Sequence, residues 1–227
     1  MLVQSQLRGS PAALRAVMGE IDIHSCPYTY NFHLHTIFSD GKLQPSVLMQ
    51  QAVQRGLAAL AITDHHSVDG YTAARQWLDQ WHQVNPVAYG PQLWSGVEIT
   101  ATLCDDEVHI LGYGFEPNHS QLQIYLKGQR IEGPAAQIQA VIDAIHQAGG
   151  IAILAHPARY RRSPDELIPA AVNFGLDGVE TYYCYGQNNP WRPSPKQTEQ
   201  VRQLGQRYKL IHTCGTDTHG LDISRRL

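Results

Sequence analysis

The sequence predicts an α/β fold in which parallel strands alternate with helices, and three observations support this. From Tyr30 onward, short apolar runs alternate with longer stretches of helical periodicity. Glycines stand where helix C-caps are expected, at Gly56, Gly149 and Gly175. The chain has 227 residues, 43% of them hydrophobic, which is enough for one core but too little for two large domains.

Each element is then predicted in chain order. Ser10 as N-cap and Pro11 at the first helical position predict a short helix that ends before Cys26-Pro27. Residues 1–29 are interpreted as an N-terminal extension, and residues 30–227 as one domain with a short helical insertion at 116–149. Strands are predicted at 30–36, 59–63, 93–99, 107–115, 151–155, 178–182 and 210–214. Helices are predicted at 45–55, 68–81, within 120–148, at 164–174 and at 195–207.

Seven strands with about five crossovers fit either a barrel or a doubly wound open sheet. No G-x-G-x-x-G motif follows the first strand, which weakens the dinucleotide-binding version of the open sheet. The segment 186–195 is rich in Pro and Asn and is predicted to be an irregular loop.

Composition excludes several classes of protein. The net charge is −3 and no long basic run occurs, so a polyanion-binding surface is not indicated. The 4 cysteines are scattered, which predicts free thiols and a cytoplasmic protein. No stretch of 18 apolar residues occurs, so no membrane span is predicted. The 12 histidines are many for this length and indicate metal chemistry.

Eight histidines and acids stand at or just past the C-terminal ends of predicted parallel strands, and a ninth residue, His109, lies early in an extra strand beside that of Glu98. His33 and His35 are two apart in a strand and therefore point to the same face. Taken singly, Asp40 fits a turn, Asp64 fits a helix N-cap and His109 fits a core histidine. In a barrel, however, the carboxyl ends of all strands meet at one rim. The set therefore predicts a metal site made of His33, His35, Asp40, His65, Glu98, His109, His156, Asp217 and His219.

Six motifs occur in order: HLHTIFSDG, AITDHH, SGVEIT, VHILGYGF, AHP and CGTDTHG. From about residue 31 to residue 220, the chain resembles the polymerase and histidinol phosphatase (PHP) family. The resemblance is nearest to its small phosphoesterases, which include nucleoside-bisphosphate phosphatases. It implies a distorted (β/α)7 TIM-like barrel with a trinuclear centre of divalent manganese, iron or zinc ions.

The resemblance also assigns the ligands. One metal is implied at His33, His35, Glu98 and Asp217. Glu98 is implied to bridge to a second metal, held also by His109 and His156. The third metal is implied at Asp40, His65 and His219. Asp40 replaces a histidine of some family members, which makes this site richer in oxygen and slightly favours manganese or iron over zinc.

The activity implied is metal-dependent hydrolysis of a phosphate monoester by a metal-activated hydroxide. The expected partner is a small phosphorylated metabolite or nucleotide. No membrane is expected, and a nucleic acid is disfavoured but stays open. Arg159 follows AHP by two residues and is predicted to contact the substrate phosphate, with Arg161 and Arg162 as weaker candidates. His66 is predicted as general acid, and Asp64 is predicted to orient an imidazole.

Aromatic residues and the insertion bear on the substrate. After the strand at 178–182, aromatic side chains are available to stack on a base or, equally, to pack at the rim: Tyr182, Tyr183, Tyr185 and Trp191. The insertion at 116–149 is short for a lid domain that would contact the base and sugar of a nucleotide. Two alternatives remain open, a 3′-5′ exonuclease-like phosphodiesterase and a non-catalytic metal-binding module. The absence of a basic groove argues against the exonuclease.

Overall fold

The computed structural model describes residues 10–186 and 188–227, which form a mixed α/β fold. Residues 1–9 of the predicted extension and Gln187 of the predicted loop lie outside the described residues. The strands are β1 (Tyr30–Asn31), β2 (Ala59–Ala61), β3 (Gln92–Trp94), β4 (Gly96–Leu103), β5 (Asp106–Tyr113), β6 (Ile151–Leu154), β7 (Gly178–Tyr182) and β8 (Ile211–Cys214). The helices are α1 (Pro11–Gly19), α2 (Pro45–Arg55), α3 (Asp69–Val84), α4 (Ile138–Gln147), α5 (Pro164–Val172) and α6 (Pro195–Arg207), with a 3₁₀ turn at Gly133–Ala136.

The strands form two sheets. The first has the order β1-β2-β3 and is parallel, and the second has the order β4-β5-β6-β7-β8. In the second sheet β5 runs antiparallel to both of its neighbours, whereas β6, β7 and β8 are parallel. Single parallel bridges connect the sheets, one between His65 and Glu98 and one between Leu34 and Thr218. Leu34, His65 and Thr218 lie just beyond the ends of β1, β2 and β8, and Glu98 lies in β4, so these bridges occur at the level of the predicted ligands.

Two predicted strands differ from the structure. The strand predicted at 30–36 is regular only at Tyr30–Asn31, because the backbone beyond it bonds to several different partners. The amide of Phe32 donates to the carbonyl of Cys214, and the amide of Thr36 donates to the carboxylate of Asp64. The strand predicted at 93–99 is broken at Ser95, whose hydroxyl donates to the carbonyl of Phe115. The insertion contains one α-helix, α4, rather than the long helix expected within 120–148.

Local capping signals explain where the helices begin and end. The Ser10 hydroxyl accepts a hydrogen bond from the amide of Ala13, as expected of an N-cap. Gly56 ends α2 in the left-handed conformation, with φ 70°. Ser163 and Glu166 form a reciprocal capping box at the start of α5.

Helix α1 belongs to the same core as the strands. Its Leu14 and Met18 are buried in one apolar cluster with Phe32, Tyr113 and Ile153. Burying two such side chains stabilises the fold by several kcal/mol, at about 1.5–3 kcal/mol each. The part of the N-terminal extension that is described is therefore packed structure. Among the described residues, no helix is both long enough and apolar enough to span a bilayer.

Candidate metal centre

His33 and His35 are held in place by the segment that follows β8. The amide of Asp217 donates to the carbonyl of His33, and the amide of His35 donates to the carbonyl of Thr218. A Cβ at Gly215 would overlap the backbone and Cβ of His33, so only glycine permits this approach. Both imidazoles are buried and lie on the same face, as the i, i+2 spacing predicts.

These two histidines join Glu98 and Asp217 in a fully buried group whose ligand atoms lie within 4.8 Å of one another. Glu98 Oε2 lies 3.0 Å from His33 Nε2 and 3.1 Å from His35 Nε2. Asp217 Oδ1 lies 3.2 Å from His35 Nε2. Although His35 Nε2 is buried, it makes no hydrogen bond within the described chain. A buried nitrogen facing two carboxylate oxygens without a hydrogen bond fits a metal ligand.

Two further groups overlap with the first. One consists of His35, Asp40, His65 and His219, and the other of His65, Glu98 and His109. His219 Nε2 lies 3.0 Å from Asp40 Oδ2, and His109 Nδ1 lies 2.7 Å from Glu98 Oε1. Because each residue shared between groups could serve two ions, the arrangement suits a compact multinuclear centre.

His156 belongs to none of these three groups, although its Nε2 lies 3.2 Å from Glu98 Oε1. The two oxygens of Glu98 thus face different sets of histidines. Oε1 faces His109 and His156, and Oε2 faces His33 and His35. Such a division would allow one carboxylate to serve two ions. The nine predicted ligand residues lie in one connected cluster, in which Asp40 and His219 reach Glu98 through His35 and His65.

The charges in this cluster are strongly coupled. Burial opposes ionisation of Glu98, but the imidazoles of His33 and His109 hold its pKa well below the usual value. Burial would lower the pKa of His35, but the adjacent carboxylates of Asp217 and Glu98 raise it to about 9. For His65 burial dominates and lowers the pKa to about 4. At neutral pH Glu98 is thus ionised and His65 is neutral, which are the forms that bind metals, whereas His35 is protonated and must lose its proton when a metal binds.

Glu180 supports this cluster and was missed by the sequence analysis. Its Oε1 accepts a hydrogen bond from His33 Nδ1 at 2.9 Å, and its Oε2 accepts one from the amide of His156 at 2.9 Å. A carboxylate on the second nitrogen of a metal-binding histidine fixes the tautomer and the orientation of the ring. The available signal was an acid inside the apolar strand β7, which is costly unless it is paired.

Asp217 is held from its other side by residues that the sequence analysis placed differently or missed. Its Oδ2 accepts hydrogen bonds from the Tyr183 hydroxyl at 2.6 Å, from Arg226 Nε at 2.8 Å and from Arg159 Nη1 at 3.2 Å. Oδ1 is left to face the histidines. Arg226 was not predicted from the sequence, because it lies in the loop after His219 and belongs to none of the six motifs.

Among the described residues, Asp64 reaches an imidazole only through Ser39. Its carboxylate accepts hydrogen bonds from the Thr36 amide at 2.6 Å, the Thr36 hydroxyl at 2.6 Å and the Ser39 hydroxyl at 2.8 Å. These bonds fix the turn that carries Asp40. The Ser39 hydroxyl in turn lies 3.4 Å from His35 Nδ1, so the predicted role of Asp64 in orienting an imidazole stays a prediction.

His66 is also poorly placed for its predicted role as general acid. Thr100 donates its amide hydrogen to Nε2 at 3.2 Å, and Nδ1 lies 3.3 Å from the carbonyl of Tyr125. Nδ1 must therefore carry the proton and Nε2 must accept, so both ring nitrogens are in use. Burial lowers the pKa of His66 further. The structure thus favours a neutral imidazole that anchors the insertion segment.

The three arginines after AHP divide into two roles. Arg159 lies beside Asp217 and keeps 44% of its side chain exposed, so its remaining N–H groups are accessible. Arg162 was predicted to contact phosphate, but its Nε donates to the carbonyl of Cys104 and its Nη1 to Glu166. Arg161 likewise donates to the carbonyl of Asp105. Arg161 and Arg162 therefore brace the β4–β5 turn and do not reach the cluster.

The four aromatic residues around the end of β7 lie in two different environments. Tyr183 lies against His156 and Asp217, and Tyr185 packs edge-on against Tyr183. Tyr182 and Trp191 are buried in the apolar cluster that contains α1. Tyr183 and Tyr185 therefore fit the predicted rim position, whereas Tyr182 is a core residue.

Comparison with known proteins agrees with this geometry. The model of the PHP domain family matches residues 31–148, about half of the chain. The chain belongs to the PHP domain family. This confirms the family predicted from the six motifs.

Curated relatives differ in their named activities. The 5′-3′ exoribonuclease Rnm of Salmonella typhimurium is 25% identical, over 87% of this chain and 89% of that protein. A phosphoribosyl 1,2-cyclic phosphate 1,2-diphosphodiesterase of Eggerthella lenta is 24% identical, over 84% of this chain and 94% of that protein. A 3′,5′-nucleoside bisphosphate phosphatase of Chromobacterium violaceum is 32% identical, over 52% of this chain but only 40% of that protein.

Solved structures share the fold. A Bifidobacterium adolescentis protein, described as a proposed metal-dependent phosphoesterase, has a TM-score of 0.68 and 24% identity over 86% of this chain and 88% of that one. A Chromobacterium violaceum amidohydrolase with bound sulfate has a TM-score of 0.71 and 20% identity over 86% of this chain and 90% of that one. At these identities, the likeness supports the fold alone.

Proposed function

We propose that this chain is a metal-dependent phosphoesterase that hydrolyses a phosphate monoester of a small metabolite or nucleotide. The observation that carries the proposal is the overlap of three ligand groups through His35, His65 and Glu98. A single structural metal needs one closed set of four ligands, whereas overlapping open sets are typical of catalytic clusters. The complete set of ligands also favours an enzyme over a non-catalytic metal-binding module.

Three divalent ions, manganese, iron or zinc, are proposed for these groups. His33, His35, Glu98 and Asp217 would hold one ion; Glu98, His109 and His156 a second; and Asp40, His65 and His219 a third. When bound, the metals would neutralise phosphate charge and supply a nucleophilic hydroxide at neutral pH. The proposed ligand residues are carboxylates and imidazoles, which do not attract a phosphate dianion. Binding of the phosphate would therefore depend on the metals and on Arg159.

Arg159 is proposed to bind the phosphoryl group that is cleaved. Its Nη1 is tied to Asp217 at 3.2 Å, which fixes the guanidinium plane beside the ligands. Its other N–H groups are free to form the parallel hydrogen bonds that a phosphate accepts. No side chain is assigned as general acid, because His66 is engaged at both nitrogens. Solvent water is proposed to protonate the departing alkoxide.

We also propose that the two sheets together make a distorted barrel, with residues 30–227 as the catalytic domain and 116–149 as its insertion. The bridges from His65 to Glu98 and from Leu34 to Thr218 support this arrangement. Barrel enzymes carry their active sites at the carboxyl ends of the parallel strands. Most of the proposed ligands follow such strands, whereas Glu98 and His109 lie within the antiparallel pair β4–β5.

An exoribonuclease relative that spans most of the chain favours a second candidate, a phosphodiesterase that acts on RNA ends. The exoribonuclease Rnm matches 87% of this chain, whereas the bisphosphate phosphatase matches 52%. The polarity named for this relative is 5′ to 3′, opposite to the alternative drawn from the sequence. Both candidates use the same metal-ligand cluster. They differ in the leaving group, which is a small alcohol in the first candidate and a nucleotide chain in the second.

A substrate panel separates these candidates. Purified protein with measured metal content is assayed with an aryl phosphate, an aryl phosphate diester, adenosine 3′,5′-bisphosphate and a 5′-phosphorylated oligoribonucleotide. Glu98→Gln is expected to abolish activity and to reduce bound metal, whereas Glu107→Gln, on the neighbouring strand, is the matched control. Glu107 is exposed and forms an ion pair with Arg130. Metal-loaded protein that hydrolyses none of these esters would refute the proposal.

A further inference from the structure

One residue pair between β5 and β6 has only one of its two backbone hydrogen bonds. The register that pairs Ile110 with Leu154 places His109 opposite Ala155. The Ala155 amide donates to the His109 carbonyl at 3.0 Å, so this is a pair in which the two residues normally exchange both hydrogen bonds. The His109 amide, however, donates to the hydroxyl of Tyr160 at 2.8 Å. The bond from the His109 amide to the Ala155 carbonyl is therefore replaced.

The Tyr160 hydroxyl is inserted between the two strands. It accepts the hydrogen bond from the His109 amide and donates its own hydrogen to the Ala155 carbonyl at 3.1 Å. Because a hydroxyl can accept and donate at once, it satisfies both backbone groups of the interrupted bond. An amide and a carbonyl with an oxygen atom between them are farther apart than two that bond directly. The pair is thus closed on the side of the Ala155 amide and held open on the other side.

The hydroxyl is inserted where two of the proposed metal ligands leave the sheet. His109 belongs to the interrupted pair, and His156 directly follows Ala155. His109 Nδ1 lies 2.7 Å and His156 Nε2 lies 3.2 Å from the same oxygen of Glu98, Oε1. The ring of Tyr160 contacts both imidazoles, with centroids 6.4 Å from that of His109 and 5.4 Å from that of His156. The spacing of the two strands at this point therefore bears directly on how the two imidazoles meet Glu98.

The turn that carries Tyr160 is itself fixed. The amide of Arg159 donates to the carbonyl of His156 at 3.0 Å, which closes the turn after β6. The amide of Ala158 donates to the hydroxyl of Tyr185 at 3.1 Å, which holds the turn from the side of β7. These two bonds present Tyr160 to the sheet in one position.

We propose that Tyr160 is a positioning residue. Its hydroxyl sets the spacing of β5 and β6 at which His109 and His156 both reach Glu98. Without the hydroxyl, either the His109 amide bonds directly to the Ala155 carbonyl and the strands close, or both groups lose their hydrogen-bond partner, which is costly. In each case the two imidazoles move relative to Glu98. The inference rests on the proposed function only in taking Glu98, His109 and His156 as ligands of one ion.

The test removes the hydroxyl and keeps the ring. Manganese and, separately, zinc are titrated into metal-free Tyr160→Phe in competition with a chelator, and the melting temperature of the metal-free protein is measured. Tyr125→Phe is the matched control. Tyr125 is also buried, and its hydroxyl donates to the backbone carbonyl of Ala135, within the insertion and outside the ligand cluster. Tyr185→Phe is a second variant, because it removes the acceptor of the Ala158 amide and loosens the turn that carries Tyr160.

We expect Tyr160→Phe to weaken the binding of one equivalent of metal by about 10–100-fold, the range found when partners of metal-binding histidines are changed. Tyr125→Phe should bind metal as the wild type does, although both variants lose a hydroxyl that bonds to the backbone and should melt at lower temperatures. Tyr185→Phe should weaken the same equivalent by a smaller factor.

An unchanged titration of Tyr160→Phe would overturn the proposal, as would equal weakening in Tyr125→Phe. A wild type that binds less than two equivalents of manganese and of zinc alike would also overturn it. If Tyr160→Phe does not fold, Tyr185→Phe decides, and a titration of Tyr185→Phe that matches the wild type would overturn the proposal.

Metal binding separates this inference from the proposed function. If the wild type hydrolyses no ester but Tyr160→Phe loses one equivalent of metal, the proposed activity fails and the role of Tyr160 stands. If the wild type hydrolyses phosphate esters and Tyr160→Phe binds metal unchanged, the activity stands and the role of Tyr160 fails.

Discussion

Glu180 offers a sharp test of the metal centre, because it touches no substrate and is not itself a proposed ligand. Its two oxygens each accept one hydrogen bond, from His33 Nδ1 and from the amide of His156, both at 2.9 Å. Glu180 is fully buried. The substitution Glu180→Gln keeps the volume but turns one of these oxygens into an NH₂ group. A donor then faces a buried donor, either the imidazole of His33 or the amide of His156.

The magnitude follows from the loss of one hydrogen bond to a charged acceptor. Such a bond contributes about 1.5–3 kcal/mol, which corresponds to roughly tenfold to hundredfold in an equilibrium constant. Partners of metal-bound histidines typically change metal affinity or activity by about 10–100-fold, so the two arguments agree. We therefore expect Glu180→Gln to weaken metal binding by this factor while the fold remains.

The assay is a titration of metal into the protein in competition with a chelator, accompanied by thermal denaturation of the metal-free form. Glu107→Gln provides a control in which an exposed carboxylate is neutralised. Glu180→Asp retains the charge but shortens the side chain by one methylene, and we expect an intermediate effect. If Glu180→Gln binds metal as tightly as the wild type and melts normally, Glu180 does not orient His33, and the reasoning is refuted.

Three further predictions address the site and the fold. Gly215→Ala should reduce the metal content of the purified protein, because the added Cβ would push His33 aside. Gly19→Ala is the control, because a Cβ there meets open space. Equal metal content in the two variants would contradict the role of Gly215. Leu14→Ala should cost about 2–5 kcal/mol in urea unfolding. Arg15→Ala on the same helix should cost less than about 1 kcal/mol, because the exposed Arg15 loses only an ion pair with Asp177; equal costs would place α1 outside the core. Against the effect of burial, Asp217 and Glu98 raise the pKa of His35 to about 9, from an ordinary value of 6.5. Its charge should stabilise the metal-free protein fully below pH 6.5, and this stability should be lost as pH rises through about 9. Metal affinity should rise between pH 6.5 and about 9. If the melting temperature of the metal-free protein increases over this pH range, the assigned effect of the His35 charge is refuted.

The sequence predicted the elements best where local chemistry decides them. Ser10 and Gly56 mark helix ends through hydrogen bonds and backbone conformations that involve only neighbouring residues. The extent of the first strand was wrong because its length depends on distant partners. The backbone around Thr36 bonds to the side chain of Asp64, and no pattern in residues 30–36 encodes that contact.

The candidate site shows the same division. Positions at or near predicted strand ends indicated that the nine ligand residues would meet, because the ends of parallel strands converge at one edge regardless of the loops between them. These positions did not predict side-chain direction, so the hydrogen bonds of His66 to Thr100 and Tyr125 were not foreseen. His66 has a φ of 52°, which turns its side chain away from the alternation expected after a strand. Arg226 was missed for a related reason, since a loop that folds back has no periodicity.

Backbone strain at the site makes its hydrogen bonds necessary rather than incidental. Among the described non-glycine residues with positive φ, three adjoin the cluster: His66 at 52°, His156 at 27° and Asp217 at 53°. Such conformations cost about 1–3 kcal/mol each and persist only where their surroundings impose them. Each of the three donates its amide hydrogen to an acceptor of the site, namely the Glu98 carbonyl, the Glu180 carboxylate and the His33 carbonyl. The residues that orient the ligands therefore also hold the strained backbone that presents them. A change at Glu180 should for this reason disturb His33 and His156 together.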